Sequence, residues 1–125
     1  MHTFLSLESR QGDREAVLVL ARDLLMKHDV LVMGQSSVIE LDAALGQVVE
    51  CQTELSSEEL IVACKAVERE MAGETRGVDI GNVQFGQAPT RPQVVDIKVL
   101  IYGDRVLTDI HPLLKKPLKE LSARA

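Results

Sequence analysis

From Val94 to Tyr102 the chain alternates without a slip: Val95, Ile97, Val99 and Ile101 are apolar, while Asp96, Lys98 and Leu100 fill the places between them. A period of two is that of a β-strand with one face against a core. The four β-branched residues are therefore expected to face helices, and Asp96 and Lys98 to share the opposite face. Gly103-Asp104 ends the run. A strand of this kind cannot stand alone, so the rest of the chain must supply its neighbours and its cover.

The segments before it do so in a definite order. Thr3 to Leu7 reads as a short strand, and Gly12-Asp13 breaks it, with Asp13 placed to cap a helix. Val17, Leu20, Ala21, Leu24 and Leu25 then recur at helical spacing, ending near the cations Lys27 and His28. Val30 to Leu41 is apolar and rich in β-branched residues, Asp42-Ala43-Ala44 looks like a turn, and Leu45 to Thr53 reads as a return strand, giving an antiparallel hairpin. Ser56-Ser57-Glu58-Glu59 is a capping box, followed by the helical stripe Leu60, Cys64, Val67 and Met71. The helical pattern stops at Gly73. From there to Gln93 lie four of the eight glycines and two of the four prolines, a loop long enough to be a lid or a binding loop. Gly81-Asn82, between Val78-Asp79-Ile80 and Val83-Gln84-Phe85, could turn a small hairpin inside it. After the long strand, Val106 to Ile110 is expected to be a short strand or an extension, His111-Pro112 a turn, and Leu113 to Leu121 a segment packing back on the body.

The order β-α-β-β-α-loop-β is the split βαβ, or ferredoxin-like, arrangement: an α+β sandwich with both helices on one face of an antiparallel sheet. Its other face is then free for a ligand, loops or a partner. The 125 residues make one domain, and 46% hydrophobic content is enough for a core. There is no apolar run of membrane-spanning length, and the first residues, Met-His-Thr-Phe-Leu-Ser-Leu-Glu, lack the basic start of a signal peptide, which points to the cytoplasm. A net charge of −5 without a basic block argues against nucleic acid as a partner. Cys51 and Cys64 lack metal-type spacing and sit in apolar patterns, as buried thiols do.

Few residues are placed to do chemistry. Two carboxylates at i and i+2 on a strand would suit magnesium, but here the second place is Lys98, and an ammonium cannot ligate a metal. On pattern alone the pair reads first as a plain ion pair on an open sheet. His111 is a lone histidine at a turn. Glu68, Arg69 and Glu70 read as the solvated end of the second helix, Arg76 and Arg91 as surface cations or phosphate contacts, and Lys115-Lys116 as solvent-facing. No phosphate-binding glycine loop, dinucleotide fingerprint or His/Cys metal motif is present.

Five segments, in order, resemble the 6-hydroxymethyl-7,8-dihydropterin pyrophosphokinase family of folate biosynthesis. Phe4 to Glu15 is similar to its opening "ALGSNLGDRE", Val49 to Leu60 to "VEVETxLSPEEL", and Ala66 to Met71 to "IEREMGR". Arg91 to Pro112 follows "GPRxIDLDLLLYGD…PHP", and Pro117 to Leu121 follows "PLxEL". The resemblance implies a ferredoxin-like fold and transfer of pyrophosphate from ATP to a pterin hydroxymethyl oxygen, with two magnesium ions held by the aspartates of a DxD strand.

Residue by residue, the resemblance makes Asp96 the first metal ligand and puts Lys98 at the second. It makes His111 a contact to ATP phosphate and Glu68 the acidic residue of the second helix. The arginine before the DxD segment falls on Gln93, with Arg91 near. The family's glycine and asparagine of "GSN" fall on Glu8 and Arg10, its pterin-binding asparagine falls near Gly46, and its "TxPxG" loop is cut to Leu41-Asp42-Ala43-Ala44. The expectation is a relative with lost or altered catalysis, acting as a binding or regulatory module, with self-association through the free sheet face as one outcome. The alternative is an active enzyme using ATP and Mg2+, with Lys98 replacing one metal's charge and Arg76, Arg91 or Lys116 supplying the rest.

Overall fold

In the computed structural model, which describes residues 1–10, 12–76 and 94–124, the chain is a mixed α+β fold with helices against an antiparallel sheet. In chain order the elements are β1 (His2–Ser9), α1 (Arg14–Lys27), β2 (Val30–Gln35), β3 (Ile39–Glu40), β4 (Leu45–Thr53), α2 (Ser57–Arg76), β5 (Val95–Tyr102), β6 (Arg105–Val106), a 3-10 turn (Pro112–Leu114) and α3 (Lys115–Arg124). The sheet runs β2-β4-β1-β5-β6, with β3 also paired to β4. β1 is flanked on both sides from Thr3 to Ser9, which carries it past the expected end at Leu7.

The helices begin where their caps put them. The Asp13 carboxylate accepts from the Ala16 N–H at 3.2 Å. The Ser56 hydroxyl accepts from the Glu59 N–H at 3.1 Å while Glu59 accepts from the Ser56 N–H at 2.9 Å. Each bond satisfies a donor that the helix itself leaves open. Val17, Ala21, Leu24 and Leu25 of α1 and Leu60, Cys64, Val67 and Met71 of α2 are buried against Leu5, Leu7, Val49, Cys51, Val95, Ile97 and Val99. Asp29 joins α1 to β2 in a left-handed conformation, φ 69°, which a short polar side chain tolerates.

Several expectations need correction. The run from Val30 to Leu41 is not one strand, because Ser36 interrupts it: its hydroxyl accepts from the Val48 N–H at 2.9 Å and donates to the Ser37 carbonyl, a local alternative to the regular ladder. α2 does not stop at Gly73 but continues to Arg76, since Met71 and Ala72 are buried on its inner side and Gly73 faces open space. Beyond β5, the strand is only Arg105–Val106, closed by the Gly103-Asp104 turn. The possible hairpin around Gly81-Asn82 lies outside the described residues.

Two further corrections concern β5 and the face it shares with β1. Leu5 pairs with Val99 and Phe4 with Ile101, so Leu100 is an extra residue, a β-bulge. Ile101 therefore leaves the Val95, Ile97 and Val99 set and packs on the opposite side of the sheet, and Tyr102 returns to the helix side. That opposite side is not free. The 3-10 turn and α3 cross it, and Leu114, Leu118 and Leu121 form a second core with Phe4, Leu41, Ala44, Val48 and Leu100. Leu113 to Leu121 does pack back on the body, and it does so over the ground expected to be open. No described helix is long and apolar enough to cross a membrane.

Candidate functional site

The charged residues of interest gather at one end of the second sheet face. Alternation along β1 puts Phe4, Ser6 and Glu8 on that face, and β5 puts Asp96 and Lys98 beside them. Glu8 stands directly across from Asp96, and Ser6 from Lys98. Two opposed carboxylates repel unless cations compensate them. Here the Arg10 guanidinium donates to Glu8 at 3.1 Å and lies 3.8 Å from Asp96, and the Lys98 ammonium lies 3.7 Å from the same Asp96 oxygen. The two acids are mostly covered (side chains 10% and 18% exposed), whereas Arg10 and Lys98 are 40% and 44% exposed. The cluster is neutral as a whole, with its cations outermost.

On the other flank of Glu8 is Gly46 of β4, its partner in register. The space above Gly46 is full: a Cβ added there would lie 2.7 Å from Leu41 Cδ1 and 3.2 Å from Leu114 Cδ2. Glycine at this point is what lets the two leucines close down on the sheet.

Other candidates are placed apart from this cluster in their bonding. Glu68 is not at a solvated helix end. It lies within α2, 13% exposed, and its carboxylate accepts the main-chain N–H of Ile97 at 2.8 Å, with Lys65 3.9 Å away. His111 caps the 3-10 turn: its Nδ1 accepts from the Leu113 N–H at 3.1 Å. Lys115 and Lys116 open α3 and are exposed. Arg76 closes α2; its side chain, and Arg91 and Gln93, lie outside the described part of the chain.

Both thiols are buried and unpaired. Burial first, and then the nearby Glu68 charge, pushes the Cys64 thiol up to about 12. Burial likewise raises Cys51, helped by Cys64 and Glu50. Neither is a nucleophile at neutral pH. Among the described residues no group of three or more His, Cys, Asp or Glu side chains is placed to hold a metal ion.

Alternation along β5 is enough to bring Asp96 and Lys98 together, but it gives Glu8 and Arg10 no role of their own. The signal for Glu8 is present, since it continues the Phe4, Ser6 alternation. What is missing is the β1/β5 register, which no local pattern encodes. Compared with models of known protein families, the chain matches none.

Proposed function

We propose that this chain is a diverged hydroxymethyldihydropterin pyrophosphokinase-like protein of ferredoxin-like fold that has lost the family's catalysis and serves as a binding or regulatory module. One observation carries the reading: Asp96, the position that resembles a metal ligand, has two cations beside it, Lys98 at 3.7 Å and Arg10 at 3.8 Å. Cations so placed neutralise the carboxylate and occupy the side from which a divalent ion would approach. The residues at hand thus fit a magnesium ion poorly. Leu41 and Leu114 over Gly46 add to the case, since a polar ring would meet a packed apolar surface there.

The strand order agrees with the ferredoxin-like pattern, with β3 and β6 as short additions and α3 as an extra cover. The alternative, an active enzyme with an altered site, draws on Glu8, a second carboxylate beside Asp96 that could take over from the missing aspartate.

Incubation with ATP, magnesium and hydroxymethyldihydropterin decides between them. No AMP release is expected, and steady AMP release would sink the proposal. A second measurement concerns Lys98→Asp. If the lysine is what blocks the site, that variant should bind magnesium with ATP more tightly than the parent, by about tenfold or more, about 1.4 kcal/mol. Equal binding would place the obstruction at Arg10 or at the leucines instead.

A further inference from the structure

An edge strand presents alternate main-chain groups to whatever comes beside it, and among the described residues β5 is such an edge where β6 does not reach it. Ile97 gives its N–H to Glu68 rather than to β1, which sets the parity: at positions 95, 97 and 99 the main chain points away from β1. β6 pairs only with Ile101 and Tyr102, and the Leu107 N–H returns to the Leu100 carbonyl. The Ile97 carbonyl and the Val99 N–H are left facing outward, and no bond to another segment takes them up among the described residues.

A cleft of about 190 Å³ runs along this stretch, between α2 and the segment after β6. Its apolar walls include Ile61 and Leu107, 43% and 36% exposed. Among the described residues the charged side chains lining it are Lys65 and Lys98, and no carboxylate joins them. Each has a carboxylate behind it, Glu68 at 3.9 Å from Lys65 and Asp96 at 3.7 Å from Lys98, and their side chains are 63% and 44% exposed. In a chain of net charge −5, a cleft whose lining charges are the exposed ends of two lysines, their carboxylate partners set behind them, favours negative charge. The two lysines also bracket the edge, because Lys65 belongs to the helix layer and Lys98 to the opposite face of the sheet. A strand laid along β5 would send successive side chains toward one and then the other.

We propose that the β5 edge receives an extended acidic peptide segment of another protein, added as a short β-strand. Its main chain bonds the Ile97 carbonyl and the Val99 N–H, two adjacent carboxylates reach Lys65 and Lys98, and aliphatic neighbours rest against Ile61 and Leu107. Glu68 bounds the site, since its carboxylate already holds the Ile97 N–H and repels acid beyond it. The inference is independent of any chemistry at Asp96.

The test uses neither ATP nor magnesium, so its failure and a failure of the AMP assay are told apart. The probe is a fluorescein-labelled Ile-Val-Glu-Asp-Val-Ile peptide titrated with the full chain and followed by anisotropy at low salt. Saturable binding is expected, together with new hydrogen-exchange protection at the Val99 amide. The combined Lys65→Glu and Lys98→Glu change should weaken binding at least about tenfold. The milder Lys65→Gln and Lys98→Gln pair should weaken it less, and Lys119→Glu on α3 should leave it alone. The proposal is overturned by absent saturation, by equal binding of a peptide with Lys-Lys for Glu-Asp, or by indifference to both lysine double variants. Protection of Val99 in the free protein through self-association would overturn it as well.

Discussion

Cys64 and Glu68 share one face of α2 and act in different ways. The thiol is held protonated by burial, up to about 12 against an ordinary value of 9.0. An unfolded chain would ionise the same thiol from about pH 9 upward, so between about pH 9 and 12 the unfolded state binds fewer protons than the folded one. Stability from this group is therefore complete below about pH 9 and falls as pH rises, by up to about 1.4 kcal/mol per pH unit. Thermal unfolding followed from about pH 8 to 11 should show a falling Tm, and Cys64→Ala should make that fall shallower while lowering the starting Tm. An unchanged slope would mean other groups carry the alkaline loss. Glu68 shows what sequence could not supply. Its place in the charged run Glu68-Arg69-Glu70 suggests a solvated helix end, yet its carboxylate holds the Ile97 N–H at 2.8 Å. Helical periodicity tells which side of α2 is wet, but not that one exposed-looking acid meets a strand edge 29 residues away.

At the scale of elements, caps and stripes are readable because they are local. Asp13, Ser56 with Glu59, and the two helical stripes all stand where spacing puts them. What escapes local reading depends on pairing: the Ser36 interruption, the Leu100 bulge and the Glu8–Asp96 alignment each need the register of a neighbouring strand. The destination of α3 belongs to the same class. Its apolar residues announce that it will pack, not which face it will cover. Leu118, 8% exposed, belongs to the second core together with Phe4, Val48 and Leu100. Leu118→Ala should cost about 2–4 kcal/mol in chemical denaturation through lost burial and the cavity left behind. Lys119→Ala, on the exposed side, should stay within about 0.5 kcal/mol. If the two variants unfolded alike, α3 would not be part of the cooperative core.

For the whole molecule, β1 is the keystone. It is paired with β4 and β5 along both edges, and its side chains enter both cores, Leu5 and Leu7 on one side and Phe4 on the other. Amides here open only when both layers come apart. Hydrogen exchange should find its strongest protection in β1 and the facing part of β4, with β6 and the end of α3 exchanging first. Fast exchange in β1 would show that the two cores unfold separately.

The extra residue at Leu100 bears on how such a chain can change over time. Dropping one residue from a surface turn is commonly absorbed by the turn. Dropping Leu100 would be absorbed in the same way, because it restores perfect alternation to β5. With Val99 on the helix side, Ile101 would still take the second face beside it and Tyr102 the helix side, where its hydroxyl now reaches the Leu55 carbonyl at 2.6 Å. Length is therefore negotiable at this one point of the strand: a one-codon deletion at position 100 removes the bulge and one apolar side chain of the second core while Ile101 and Tyr102 keep their own sides of the sheet.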